Sequence, residues 1–382
     1  MTVVDRPATA RPRIVASPPG TGGVAHPLDR VLMKGNEAIA EAAVAAGCDA
    51  YFGYPITPQA ELLEWMARRM PEEGRVFVQA ESELAAINMA LGAAAAGARV
   101  LVSSSSPGMS LMAEAMSYMA GSQLPVVVVN VQRGGPGLGS IGAAQGDYFQ
   151  ATKGHGHGDY RVPVLAPSSI AEAIDLVRDS FILAERYRTP VILLADGILG
   201  QAMEPVAPTF RTLEKSTPDW TLDGAENRTP RVVKSLHLRP EDLEQHDLEL
   251  QAVYAEIEAT EQRWAGEQLD EAEVVLVAYG TAARVARTAV ERLRDEGIKA
   301  GLFRPITLWP FPSQPLREVA TGAKAVMAVE MSAGQMVEDV RLAIEGAVPV
   351  FHHGRTGGMV PSPDGVVDAV KQAIGMRGEA RR

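Results

Sequence analysis

A single cysteine, Cys48, in 382 residues leaves the chain without a disulfide framework, a CxxC pair or a four-cysteine iron–sulfur or zinc site of its own. A reducing cytoplasm suits such a chain. Cationic residues are also short: 36 Lys and Arg against 47 Asp and Glu give a net charge of -11, which argues against nucleic acid or another polyanion as partner. Long apolar runs are missing as well, so no membrane-spanning segment is expected. Residues 1–27, rich in Pro, Gly, Ala and Arg, lack the apolar stretch of a secretory signal and read as a flexible leader.

What is present is enough apolar material for more than one core, since 46% of the residues are hydrophobic. From about Leu32, short β-branched runs at residues 50–53, 75–79, 100–103, 126–131, 162–165 and 191–195 alternate with Ala-rich helical stretches at 37–46, 59–70, 82–96, 110–121 and 170–185. That alternation predicts an α/β fold, with a doubly wound and mostly parallel sheet over residues 28–205. Residues 206–270 turn polar, with a turn cluster around Asn227 and a charged helical segment at 241–264, and read as a connector. A second, smaller α/β unit over 271–376 has strands at 274–279, 301–304, 325–329 and 348–351, followed by a tail at 377–382. The Pro-Ile-Thr triplet at 55–57 returns at 305–307, an echo too short to count as a repeat.

In an open parallel sheet, ligands bind beyond the carboxyl ends of the strands, so the residues just after each strand carry the chemistry. After the first come Thr57, suited to a helix cap, and Pro58, suited to the first helical position; capping alone accounts for both. After the second, Glu81 and Glu83 bring carboxylates to the mouth of an otherwise apolar helix. One of them is expected to be sheltered, and for Glu83 stabilisation of the helix N-terminus is sufficient. Ser103, Ser106 and Gly108 belong to a polar loop that caps the next helix. Arg133 precedes a loop so rich in glycine that close approach of its backbone to a ligand explains it better than stability does. The segment 137–142 lacks the strand–turn–helix setting of a dinucleotide fingerprint. His155 and His157 share a glycine-rich stretch without a third ligand, so a mobile loop is expected there and no metal is assigned.

Taken in order from about Leu32 to Ile374, several segments together resemble the α subunit of the 2-oxoacid:ferredoxin oxidoreductases. They are GYPITP at 53–58, QAESELAAINMALGA at 79–93, QRGGPGLG at 132–139 and QGDYFQATKGHGHGDY at 145–160, supported by ADGILGQAMEPV at 195–206, EMSAGQMVEDV at 330–340 and GRTGGM at 354–359. The GGPGLG form looks most like the branched-chain (2-oxoisovalerate) group, with the aryl (phenylglyoxylate-type) and 2-oxoglutarate groups as alternatives. The resemblance implies a pyrimidine-binding fold for thiamine diphosphate, a transketolase-C-terminal-like second domain, and oxidative decarboxylation of a 2-oxoacid to an acyl-CoA.

By the same resemblance, Glu81 matches the buried glutamate that hydrogen-bonds ring nitrogen N1′ of the cofactor. Thr57 matches the threonine beside the reacting carbon, and Tyr54, Pro55 and Ile56 lie with it against the cofactor. Arg133 matches the arginine that receives the 2-oxoacid carboxylate, a task its planar fork suits better than lysine would. A β subunit is implied to hold the diphosphate, its Mg²⁺ and a proximal cluster. A γ subunit and a ferredoxin-like δ subunit complete the complex, with [4Fe-4S] clusters only in the partners. Coenzyme A is the co-substrate, and ferredoxin or a flavin NAD-reducing subunit takes the electrons. Asp196, with Gly197 and Asn227, loosely echoes a thiamine-enzyme metal sequence, but its first glycine is missing. His155 and Ser106 stand where relatives often carry glycine. Two rivals are an E1-type thiamine dehydrogenase subunit, disfavoured by GYPITP and RGGPGLG, and a non-catalytic dinucleotide-binding protein, disfavoured by the missing phosphate fingerprint.

Overall fold

The computed structural model describes residues 30–207, 210–215 and 218–380, the last five by backbone alone; the expected leader at 1–27 lies outside the described residues. The first part of the chain runs β1 (Val31–Lys34), α1 (Gly35–Ala45), β2 (Ala50–Gly53), α2 (Ala60–Glu72), β3 (Val76–Gln79), α3 (Glu83–Ala95), β4 (Val100–Ser104) and α4 (Ser106–Gly121). It continues through β5 (Val126–Gly134), β6 (Ser140–Ala143), α5 (Tyr148–Lys153), β7 (Val164–Leu165), α6 (Ile170–Tyr187), β8 (Val191–Asp196), α7 (Gly197–Gln201) and β9 (Met203–Val206). Then follow α8 (Pro240–Thr260), β10 (Trp264–Glu267), β11 (Val274–Val277), α9 (Gly280–Asp295), β12 (Ala300–Pro305) and β13 (Thr307–Trp309). The remainder is α10 (Ser313–Ala320), β14 (Ala325–Glu330), α11 (Met336–Ile344), β15 (Val350–Gly354) and α12 (Pro363–Ala380).

Residues with no polar side to spare make the inner strands. Every residue of β2, β4, β5 and β8 is buried, as expected of strands covered on both faces. Each Val or Leu so buried contributes about 1.5–3 kcal/mol. The first sheet has the order β13-β7-β8-β5-β4-β2-β3, with β6 paired to β5. Within it β2, β3, β4, β5, β7 and β8 run parallel, so the mostly parallel α/β architecture expected from the sequence is the one that forms. The helices α1, α2 and α6 pack together, as do α3 and α4. The register brings Gly53 level with Gln79 and Ser103, Ser104 with Asn130, and Gln132 with Asp196, so the carboxyl ends share one edge.

The second sheet has the order β10-β12-β11-β14-β15, parallel except for β10. Five strands among the described residues were not expected, β6 beside β5 being one of them. β1 and β9 form a separate antiparallel ribbon. β10 follows α8 and joins the second sheet, Trp264 stacking on Phe303 at 4.8 Å. β13 leaves the second sheet altogether and pairs antiparallel with β7 of the first. The Pro305-Ile306-Thr307 triplet is therefore the crossing between sheets, fastened where Ala166 N–H donates to the Ile306 carbonyl at 2.8 Å.

Candidate active site at the carboxyl edge of the first sheet

The loop after β2 is held from beneath rather than by a cap. Gln59, fully buried, donates to the Tyr54 carbonyl (3.2 Å) and accepts from Ser103 Oγ (2.7 Å), whose oxygen also meets Tyr51 OH at 2.6 Å. Asn36 and Gln201 both donate to the Pro58 carbonyl, at 2.7 and 2.9 Å. With its carbonyls pinned in this way, the loop continues past Pro58, and α2 begins at Ala60 with Gln59 at its cap position. The expected capping by Thr57 and helical start at Pro58 are thus displaced by two residues. Tyr54, Pro55 and Thr57 are left exposed at the edge, and Ile56 half-buried.

The two glutamates after β3 part company. Glu81 lies in the turn before α3 and is exposed, so the shelter expected for it is not supplied by its own chain. Glu83 opens α3 behind Ser82, whose Oγ caps the helix by accepting from Ala85 N–H at 3.2 Å, and only 5% of Glu83 is exposed. Gly108 explains how it fits. A Cβ on Gly108 would lie 2.0 Å from Ser104 Oγ and 2.5 Å from Glu83 Oε1, so no other residue leaves room for this carboxylate beside α4. Ser104 Oγ and Ser105 Oγ are buried without hydrogen-bond partners. A polar cradle left unsatisfied in this way is costly unless something fills it.

Arg133 lies one residue before the end of the buried run of β5 and ties two loops together. Its backbone N–H donates to Ser106 Oγ (3.0 Å), Nη1 donates to the Thr57 carbonyl (2.9 Å) and Nη2 to the Leu138 carbonyl (3.2 Å). Nε is buried with no partner. Thr57 and Arg133, named from the resemblance, are therefore brought into direct contact, although part of the arginine fork is spent on backbone. Beneath them, Asp147 accepts from Ser106 Oγ (2.6 Å) and Asn130 Nδ2 (2.9 Å), while its own N–H donates to Gln132 Oε1 (3.1 Å). Burial pushes the Asp147 carboxyl up from its ordinary range, against those two hydrogen bonds and the Arg133 charge. A cavity of about 470 Å³ opens above it, walled by Gly135, Pro136 and Gly146 on one side and Ser332, Gln335 and Thr356 on the other.

Other groups flagged by sequence have structural work. His155 is buried with Nδ1 3.2 Å from the Gln150 carbonyl and Nε2 3.1 Å from that of Met109, and burial lowers its pKa. Ser117 Oγ donates to the His157 carbonyl at 2.6 Å. Asp196 receives the N–H of Leu199 (3.1 Å) together with the N–H (2.9 Å) and hydroxyl (2.6 Å) of Thr281, joining the starts of α7 and α9. Asn227 takes a left-handed turn, φ 59°, within the polar connector. Sequence reasoning passed over Gln59, Ser104, Asn130 and Asp147. The available signal was a polar residue at or inside an otherwise apolar strand run, as in VLVSS and VVVVNVQRG.

The edge so assembled is that of an α/β cofactor-binding subunit: a sheltered carboxylate, unsatisfied polar atoms and a glycine-rich hairpin beyond parallel strands. The chain matches the pyruvate flavodoxin/ferredoxin oxidoreductase thiamine-diphosphate-binding family over residues 41–288 and the pyruvate:ferredoxin oxidoreductase core domain II over residues 272–366. It is 49% identical to the ketoisovalerate oxidoreductase subunit VorB of Methanothermobacter thermautotrophicus over 90% of this chain and 98% of that one. It is 38% identical to the 2-oxoglutarate synthase subunit KorA of Archaeoglobus fulgidus over 82% and 91%. Among solved structures, 2-oxoglutarate:ferredoxin oxidoreductase from Magnetococcus marinus, with 2-oxoglutarate, coenzyme A and succinyl-CoA bound, superposes with a TM-score of 0.81 at 28% identity. The match covers 91% of this chain and 65% of that longer one. The chain belongs to the thiamine-diphosphate-dependent 2-oxoacid:ferredoxin oxidoreductase family and is an oxidoreductase subunit of it. No helix among the described residues is long and apolar enough to cross a membrane.

Proposed function

We propose that this chain supplies the aminopyrimidine side of a shared active site that converts a branched-chain 2-oxoacid and coenzyme A to the acyl-CoA, CO₂, a proton and two electrons. The observation that carries the reading is the sheltered Glu83, set against the unpartnered hydroxyls of Ser104 and Ser105 across Gly108. Bound thiamine diphosphate supplies the electron sink that decarboxylation needs. The residues present fit its polar ring: Glu83 would hold a proton at a carboxylate oxygen and share it with the ring, and the two serine hydroxyls would find partners. Burial is what such proton sharing asks of a carboxylate, and this favours Glu83 over Glu81, to which the resemblance pointed. Thr57 and Arg133, tied together, would receive the oxoacid, with Tyr54, Pro55 and Ile56 lining the approach.

The outer surface supports a partner-dependent site. In α3 the only charged side chain is the buried Glu83; Leu84 and Met89 of this helix are exposed, as are Leu111 and Tyr118 of α4, which packs on it, and Val76 of the edge strand β3. A partner covering this mainly apolar face, on which Glu114 of α4 accepts from Tyr118 OH at 2.6 Å, would also enclose Glu81. We assign that cover to a β subunit that holds the diphosphate, its Mg²⁺ and a proximal [4Fe-4S] cluster. A γ subunit and a ferredoxin-like δ subunit complete the path to ferredoxin or to a flavin NAD-reducing subunit. Cys48, alone and buried with its thiol pKa pushed up to about 12, leaves the electrons to other chains. We assign pyrimidine binding to residues 28–205, the connection to 206–270, which also lends β10 to the second sheet, and the transketolase-C-terminal-like unit to 271–376, which lends β13 to the first.

The test is to purify the complex with Glu83→Gln or Glu81→Gln and follow 2-oxoisovalerate-dependent reduction of a viologen dye. Glu83→Gln is expected to lower turnover by about 10²–10⁴-fold at unchanged subunit composition, and Glu81→Gln to lower it far less. The reverse ranking returns the role to Glu81; full activity in both variants removes it from either.

A further inference from the structure

The hairpin between β5 and β6 offers a chemical surface that the reaction so far leaves unused. Residues 134–146 contain no charged side chain, and glycines set their path. Gly139 has φ 62°, and a Cβ there would lie 1.8 Å from the Gly134 carbonyl oxygen, so that position must stay bare. What the hairpin does present is Leu138 at its tip, 84% exposed, and, three residues further on in β6, Ile141, 69% exposed. These are large aliphatic groups held out at the edge where the strands end.

Their position relative to Arg133 gives them a use. The Leu138 carbonyl accepts from Arg133 Nη2 at 3.2 Å while Nη1 of the same guanidinium binds the Thr57 carbonyl at 2.9 Å, so Leu138 is one hydrogen bond away from the group assigned to the substrate carboxylate. In a 2-oxoacid the side chain starts two carbons from the carboxylate. A molecule anchored by its carboxylate at Arg133 must therefore lay its side chain within reach of whatever Arg133 also holds. An aliphatic side chain there loses water against Leu138, whereas a second carboxylate would be desolvated on a hairpin with no cation. The cation of the loop packed on the hairpin is Arg355, exposed two residues before Gly357, which with Gly358 lies against Gly134.

We propose that Leu138, supported by Ile141, is a specificity-determining wall that accepts the aliphatic side chain of the 2-oxoacid and disfavours dicarboxylic ones. This rests on the assignment of Arg133 to the carboxylate and on the proposed reaction. The experiment measures kcat/KM of the purified complex for 2-oxoisovalerate, pyruvate and 2-oxoglutarate in the wild type, Leu138→Ala and Leu138→Ala/Ile141→Ala. The preference for 2-oxoisovalerate over pyruvate should fall about tenfold in the single variant and further in the double, in line with the worth of a few methylenes in an apolar site. Subunit composition should match the wild type. An unchanged ratio in an active complex overturns the wall and leaves the reaction standing. Loss of partner subunits from the variant overturns it in favour of a docking contact, and a wild-type preference for 2-oxoglutarate overturns it in favour of Arg355. A wild-type complex that turns over no 2-oxoacid defeats the reaction and the wall together.

Discussion

Each sheet presents a buried carboxylate near its carboxyl edge: Glu83 at the start of α3 in the first, Glu330 at the end of β14 in the second. Glu330 is fully buried, and its two oxygens accept from Ser332 Oγ (2.8 Å) and from the N–H groups of Gln335 (3.0 Å), Met336 (2.9 Å) and Val337 (3.0 Å). It closes the N-terminus of α11, where the helix dipole and orphan donors favour a negative charge. Around Glu83 the surroundings are unfinished: Ser104 Oγ, Ser105 Oγ, Asn130 Oδ1 and Arg133 Nε, all at or near the ends of β4 and β5, are buried without partners. The lesson is that burial alone does not mark a functional acid. The number of local donors already committed to it separates an acid that builds the fold from one that awaits a ligand.

The largest expected effect sharpens this contrast on the structural side. Glu330→Ala strands three backbone N–H groups and a hydroxyl in the interior, a loss of about 3–4 kcal/mol of unfolding free energy by the usual cost of unpaired buried donors. Glu83→Ala, which strands no comparable set, should cost much less. Urea titration of the two variants beside the wild type measures both, and equal losses would erase the distinction between a finished and an unfinished edge.

How much of this was legible beforehand follows the same division. Inner strands such as VVVVNVQRG and VILLAD declare themselves because both faces are buried and each opens on an unbroken run of apolar residues, with polar ones only toward the carboxyl end. Strands at the margins do not. β1 is half-exposed, β10 follows directly on a charged helix, and β13 has three residues whose pairing with β7 depends on a crossing between sheets. At the site, Arg133 could be found because glycines crowd behind it. Between Glu81 and Glu83 the resemblance points to Glu81; the burial that speaks for Glu83 is not legible in the sequence, since it depends on where the helix starts and on what Gly108 leaves open.

A second, smaller effect tests whether the arginine belongs to the ligand or to the frame. In Arg133→Lys a single ammonium cannot bind the Thr57 and Leu138 carbonyls and still present a planar pair of donors to a carboxylate. The KM for the 2-oxoacid should rise about tenfold or more with a smaller change in kcat, the worth of a lost charge-assisted hydrogen bond. A purely architectural arginine would instead lower thermal stability and leave KM alone, which steady-state kinetics paired with a melting curve distinguishes.

The smallest effect concerns His155, which braces α4 beside the unfinished edge. Both ring nitrogens face backbone carbonyls, Gln150 and Met109, so only the protonated ring could donate to both; burial nevertheless depresses its pKa below the ordinary 6.5. The unfolded chain therefore takes up this proton at higher pH than the folded one. The stability tied to the neutral ring is fully present above the unfolded value and is lost as pH falls through the folded value. His155→Gln, which can still donate to one carbonyl, should remove that dependence. On passing from pH 7.5 to 5.5 the wild type should lose more of its melting temperature than the variant does. A smaller loss in the wild type than in the variant would mean that the ring is already charged in the fold, and His155 would then count among the satisfied donors of the frame; parallel losses would mean that folding leaves its titration unchanged and that no strained brace stands beside the ligand edge.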